Sequence, residues 1–132
     1  MSEQHEAIAS VVIDAAMSVH KDVGPGLFES VYETLLANRL LKSGLKVDRQ
    51  MPVGAQIEGF DFKEAFRADL FVENRLIVEL KSVEHLAPLH TRQTLTYLRL
   101  LNQPIGLLIN FGGITLKGHF RRVLNNYRQP KY

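Results

Sequence analysis

The chain has 132 residues, the length of one domain at roughly 100–150 residues, and its 45% hydrophobic and 23% charged side chains can fill and solvate a core. It has no cysteine, which excludes disulfides, zinc–cysteine sites and thiol nucleophiles and agrees with a reducing cytoplasm. The net charge of +2 is unevenly spread: residues 1–84 hold 14 Asp and Glu against 9 Lys and Arg, a net of −5, whereas residues 85–132 hold 7 Lys and Arg and no acid, a net of +7. Such a basic half suits a surface that meets phosphate backbones, and equally a tail that only solubilises the chain. The start of the chain, Met1 to Glu6, is polar and unlike a signal peptide, and no apolar run approaches the ~20 residues of a membrane helix. The expectation is a soluble, cytoplasmic protein that does not enter a membrane, with one domain over residues 1–132.

Along the chain, Ile8, Val11, Val12, Ala15, Ala16 and Val19 form the apolar stripe of an amphipathic helix over residues 6–20. Gly24-Pro25-Gly26 breaks it, and a second helix is predicted from about Glu29 to Lys42, with Val31, Leu35, Leu36 and Leu40 inward and Gly44 as its stop. Residues Leu45–Met51 alternate as a strand, and a weaker strand is expected over Val53–Phe60. Phe66–Val72 and Leu76–Lys81, separated by the short Glu73-Asn74-Arg75, read as a hairpin. A helix from about His90 to Leu101 carries Leu95, Leu98 and Leu101, and the apolar run Ile105–Phe111 marks a strand covered on both faces. A short amphipathic helix around His119–Asn126 is predicted to close the domain. The order ααββββαβα implies an α/β fold with a mixed β-sheet flanked by helices.

The chemistry concentrates on the hairpin. If its turn centres on Asn74, Val72 faces Leu76 and Asp69 faces Glu79, while Ile77, Glu79 and Lys81 share one side of their strand. Two facing carboxylates with Cβ atoms ~4.5–5.5 Å apart repel each other and resist leaving water, a conflict that a divalent cation relieves. Mg²⁺ takes one or two carboxylates and completes its shell with waters and phosphate oxygens. A lysine two residues past Glu79 is placed to orient a metal-bound water or to stabilise charge on a phosphate. On spacing alone, a solvated Glu79–Lys81 strand pair unrelated to Asp69 explains the pattern as well. Gln93 and Tyr97 stand at i, i+4 on the next helix, and Glu29 and Glu33 do the same at the start of the second helix, beside Tyr32. Glu29 there could complete a metal shell or could serve only the helix dipole, and the tyrosines could be core residues.

Taken together, Gly26-Leu27-Phe28-Glu29-Ser30-Val31-Tyr32 matches a G-x-x-E-x-x-Y signature. The chain resembles the small bacterial GxxExxY proteins, a branch of the PD-(D/E)XK nuclease-like superfamily. The resemblance extends through Phe66-Arg67-Ala68-Asp69, Ile77-Val78-Glu79-Leu80-Lys81, Gln93 to Leu98, and Gly106 to Gly112. It implies a restriction-endonuclease-like core, with Asp69 and Glu79 as ligands of Mg²⁺ or Mn²⁺, Glu29 as the acid of the early helix and Lys81 as the catalytic lysine. Gln93 and Tyr97 would match the Q-x-x-x-Y element of RecB-like nucleases. The implied activity is hydrolysis of DNA or RNA, and the alternative is a nucleic-acid- or partner-binding module that keeps the fold without turnover. A chain this short has little room for a substrate-recognition element, which points to a homodimer or a partner to form a groove.

Other motifs carry less. His5, His20, His85, His90 and His119 lack zinc-ligand spacing, and His90, close to Gln93, could join the site but reads more readily as a capping or surface residue. No G-x-S-x-G elbow occurs. Arg121, Arg122, Arg128 and Lys131 interleave with Phe120, Tyr127 and Tyr132, a pattern that suits either a strand-gripping surface or a solvated face.

Overall fold

The structure, a computed structural model, describes residues 3–126. Two helices lead: α1 (Glu3–Val23) and α2 (Glu29–Lys42). α1 buries Ala9, Val12, Ile13, Ala16 and Val19, while Val11 faces solvent. α2 buries Tyr32, Leu36, Ala37 and Leu40, so its inward stripe is centred on Tyr32 and Val31 is exposed. The link between them turns through Gly24 and Gly26, at φ +81° and +99°, a region that only glycine enters freely.

A five-stranded sheet follows in the spatial order β1 (Val47–Ile57), β2 (Phe60–Val72), β3 (Leu76–Lys81), β4 (Ile105–Asn110) and β5 (Phe120–Leu124). The β3–β4 pair is parallel, joined by helix α3 (Pro88–Leu101), and the other neighbours are antiparallel. The sheet is therefore mixed and flanked by helices, as the sequence implies. No helix among the described residues is long and apolar enough to cross a membrane.

Alternation along the strands divides the core. Val78, Leu80, Leu107 and Ile109 pack with α1 and α2, whereas Ile77, Leu108 and Val123 pack with Leu98 of α3. Both faces of β3 and β4 are covered, which is why every residue of β4 is buried.

Two expectations are corrected. Residues 45–51 and 53–60 are not separate strands: β1 runs as one strand from Val47 to Ile57, with a shift of register between Val53 and Ala55, and turns through Glu58-Gly59 into β2. Pro52 lies within β1, where an edge strand can accommodate a residue without an N–H. The helix expected around His119–Asn126 is instead β5, paired antiparallel to β4 from Ile105↔Leu124 to Ile109↔Phe120. Its spacing of Phe120 and Val123 suits a helix, but the buried edge of β4 needs backbone partners, and β5 provides them.

Candidate active site

β2 and β3 begin as an ordinary hairpin, with Val72↔Leu76, Phe71↔Ile77 and Leu70↔Val78 in register. The ladder then stops, while β3 continues alongside β4 as far as Lys81↔Asn110. Asp69 and Glu79 are the next residues beyond the last registered pair, where β2 leaves β3. Their carboxylates replace the missing ladder bonds: Asp69 N–H donates to Glu79 Oε2 at 2.9 Å, and Leu80 N–H donates to Asp69 Oδ2 at 2.8 Å. Each acid thus satisfies a strand amide that the opening would otherwise orphan.

This arrangement concentrates negative charge away from water. Glu79 is 6% exposed. Burial, reinforced by the neighbouring Asp69 charge, pushes its pKa up to about 8. Burial also raises Asp69, against the opposing hydrogen bonds from Leu80 and Gln50. Lys81 is half-buried and favours the ionised form of both acids. Its ammonium has no hydrogen bond or ion pair among the described residues, and neither does Glu79 Oε1.

Two carboxylates held together at a strand opening, one oxygen uncommitted and both short of positive charge, fit a hard divalent cation. The described residues contain no cluster of three or more Asp, Glu, His or Cys able to hold a metal. A cation bound by Asp69 and Glu79 would therefore take the rest of its shell from oxygens outside the side chains, as Mg²⁺ commonly does.

The flanking helices contribute unequally. Glu29, in the first turn of α2, is exposed; its charge acts on Glu79, but it is not brought into a three-acid cluster. Glu33, one turn later, is buried and more closely tied in: Gln50 Nε2 donates to Glu33 Oε1 at 2.6 Å and to Asp69 Oδ1 at 3.2 Å. The other oxygen of Glu33 is paired with Arg49. Sequence reasoning missed Gln50 and Arg49 because strict alternation puts neighbours on opposite faces. Gln50 breaks that alternation with a φ of +47°.

From α3, Tyr97 stacks on Phe66 with ring centroids 4.0 Å apart and planes 2° from parallel. Its hydroxyl is held above its ordinary pKa by burial and by the charges of Glu79 and Asp69, which places Tyr97 in the field of the acids. Gln93 is exposed one turn earlier, and no hydrogen bond joins it to Asp69, Glu79 or Lys81 among the described residues.

The frame behind the site is well fastened. Buried Asn110 accepts from Val83 N–H and Gly112 N–H, each at 3.0 Å, and donates to Val83 O at 2.9 Å, tying the ends of β3 and β4 together. A Cβ at Gly112 would collide with the Val83 backbone, so the close approach requires glycine. Tyr32 is structural: its hydroxyl donates to Gly24 O at 2.6 Å, and its ring stacks on Phe111 at 4.5 Å. His90 Nδ1 accepts from Ala87 N–H at the start of α3, the capping role anticipated for it. Arg122 pairs with Glu6, and Arg121 donates to Thr91, so both join strand to helix. Tyr127, Arg128, Lys131 and Tyr132 lie outside the described residues.

Neither curated proteins nor solved structures give a match to this chain. A family model does, across residues 6–123, and it spans the opened hairpin and all three helices except the first residues of α1. With that match over most of its length, the chain belongs to the PD-(D/E)XK nuclease superfamily.

Proposed function

We propose that this protein hydrolyses phosphodiester bonds in DNA or RNA with Mg²⁺ or Mn²⁺ held by Asp69 and Glu79. The observation that carries the proposal is the opening of β2 from β3, which leaves buried Glu79 and half-buried Asp69 together beside an uncommitted lysine. When bound, the cation would supply Lewis acidity toward a phosphate oxygen and lower the pKa of a water. Asp69 and Glu79 hold their positions through the Leu80 and Asp69 amides, so little reorganisation accompanies binding. Lys81 places positive charge beside the reacting phosphate and orients the attacking water. Tyr97, fixed by its stack on Phe66, and Gln93 on the same helix face position the substrate backbone. Glu29 adds negative charge at the rim that strengthens cation attraction.

The test is cleavage of labelled single- and double-stranded DNA and RNA in Mn²⁺, comparing wild type with Asp69→Ala and Lys81→Ala. Loss of cleavage by at least ~10²-fold in both variants is expected; activity that survives both excludes this site. One feature favours a second class, a nucleic-acid-binding module without turnover: burial holds the Glu79 carboxyl well above the usual carboxylate range, and its protonated form needs no cation. Salt-sensitive binding without metal-dependent cleavage identifies that class.

A further inference from the structure

We propose that Gln50 and Glu33 are positioning residues for Asp69, and that the unusual backbone of Gln50 exists to serve that role. β1 pairs with β2 through Arg49↔Leu70 and Met51↔Ala68, which leaves Gln50 facing Asp69 at the point where β2 departs from β3. Gln50 has a φ of +47°, a left-handed conformation that a long side chain seldom adopts. Such a conformation persists only where its surroundings over-determine it. Here they do. The left-handed turn lets adjacent Arg49 and Gln50 both reach Glu33 on α2, which strand alternation would forbid.

The amide then does what no acid or aliphatic side chain could. Nε2 has two hydrogens, one for Glu33 Oε1 at 2.6 Å and one for Asp69 Oδ1 at 3.2 Å. It is a neutral donor between two carboxylates that otherwise confront each other. Glu33 is itself held by Arg49, with Nε at 3.1 Å and Nη2 at 3.0 Å from Oε2, and Arg49 is steadied by Thr34 Oγ1 at 2.9 Å. With both oxygens engaged and 7% exposure, Glu33 is an anchor for Gln50. The chain of contacts runs from α2 to Asp69, whose other oxygen is fixed by Leu80 N–H. Both oxygens of Asp69 are therefore constrained before any cation arrives. Outer contacts of this kind commonly contribute ~10–100-fold to metal affinity or activity.

The inference rests on the nuclease assignment, but its test has separate readouts. In the full chain, Gln50→Gly removes the amide while suiting the left-handed backbone, and Gln50→Glu keeps the size but replaces the donor with a third acid. Mn²⁺ binding by calorimetry, thermal melting in EDTA and cleavage are measured for each. Gln50→Gly is expected to bind Mn²⁺ ~10–100-fold more weakly, with Gln50→Glu also weakened, and to melt above Gln50→Ala, which loses the same two hydrogen bonds but keeps a Cβ on the left-handed backbone. Mn²⁺ affinity unchanged in Gln50→Gly overturns the positioning role, and Gln50→Ala melting at or above Gln50→Gly overturns the strain argument. If wild type binds Mn²⁺ but cleaves nothing, the nuclease assignment fails while the binding series still decides the role of Gln50. A wild type that binds no Mn²⁺ overturns both.

Discussion

Replacing Glu79 by glutamine should convert a pH-sensitive protein into a pH-tolerant one. Glu79 is 6% exposed and its pKa is raised from 4.5 to about 8, by burial first and by Asp69 second. A carboxyl raised on folding stabilises the fold fully below its unfolded pKa, and that contribution is lost as pH climbs through the folded value. The window is thus about pH 4.5 to 8, and at about 1.4 kcal/mol per tenfold change in proton equilibrium the ceiling is on the order of 5 kcal/mol. Between pH 6 and pH 8 the loss should be roughly 2–3 kcal/mol, a fall of about 6–15 °C in Tm for a domain of this size. The carboxamide of the Glu79→Gln variant would still accept the Asp69 N–H, without ionising. The assay is thermal melting of wild type and Glu79→Gln in EDTA from pH 5.5 to 9, read as the difference between the two. The variant should overtake wild type as pH rises, and Mn²⁺ at ~100 times its dissociation constant should restore wild type alone by about 2.7 kcal/mol. A difference that stays flat across this range, or wild type still the more stable at pH 9, would refute the argument that burial strains this carboxylate.

Further outcomes follow from the same geometry. Lys81→Met should leave Tm within a few degrees, because its ammonium has no hydrogen bond or ion pair among the described residues, while metal-dependent cleavage drops at least ~10²-fold; circular dichroism melts and a gel assay check both. Gly112→Ala should cost on the order of 3 kcal/mol, because its methyl would collide with the Val83 backbone, and urea titration reads this directly. Asn110→Ala strands the Val83 and Gly112 amides and the Val83 carbonyl, at a cost of about 2–4 kcal/mol in the same titration.

Much of this site was legible in the sequence, for a definite reason. A short turn between two apolar runs leaves little freedom of register, so Asp69 and Glu79 could be set face to face by counting from Asn74. The first three helices followed from apolar periodicity, and β3 and β4 from two apolar runs, whereas their parallel pairing is set by tertiary contacts. What failed were features decided by tertiary contacts. Phe120 to Leu124 can be a helix or a strand on local grounds, and the open edge of β4 chose the strand. Pro52 suggests a break that an edge strand does not require. Gln50 was invisible because a left-handed φ at a glutamine has no sequence signature, and Glu33 gains its importance only through that residue. The resemblance to the nuclease superfamily points to Asp69, Glu79, Lys81 and Glu29, and it gives no sign that Glu33 is the acid of α2 hydrogen-bonded to Gln50.

The central claim is that the opened hairpin binds a divalent cation and uses it to cut nucleic acid. The most direct measurement is the Mn²⁺-dependent cleavage rate of end-labelled oligonucleotides, single- and double-stranded DNA and RNA, by wild type and Asp69→Ala prepared side by side. Cleavage of at least one polymer is expected, abolished by EDTA and lowered ~10²-fold or more in Asp69→Ala. Equal rates in the two proteins, or cleavage indifferent to EDTA, would contradict the claim.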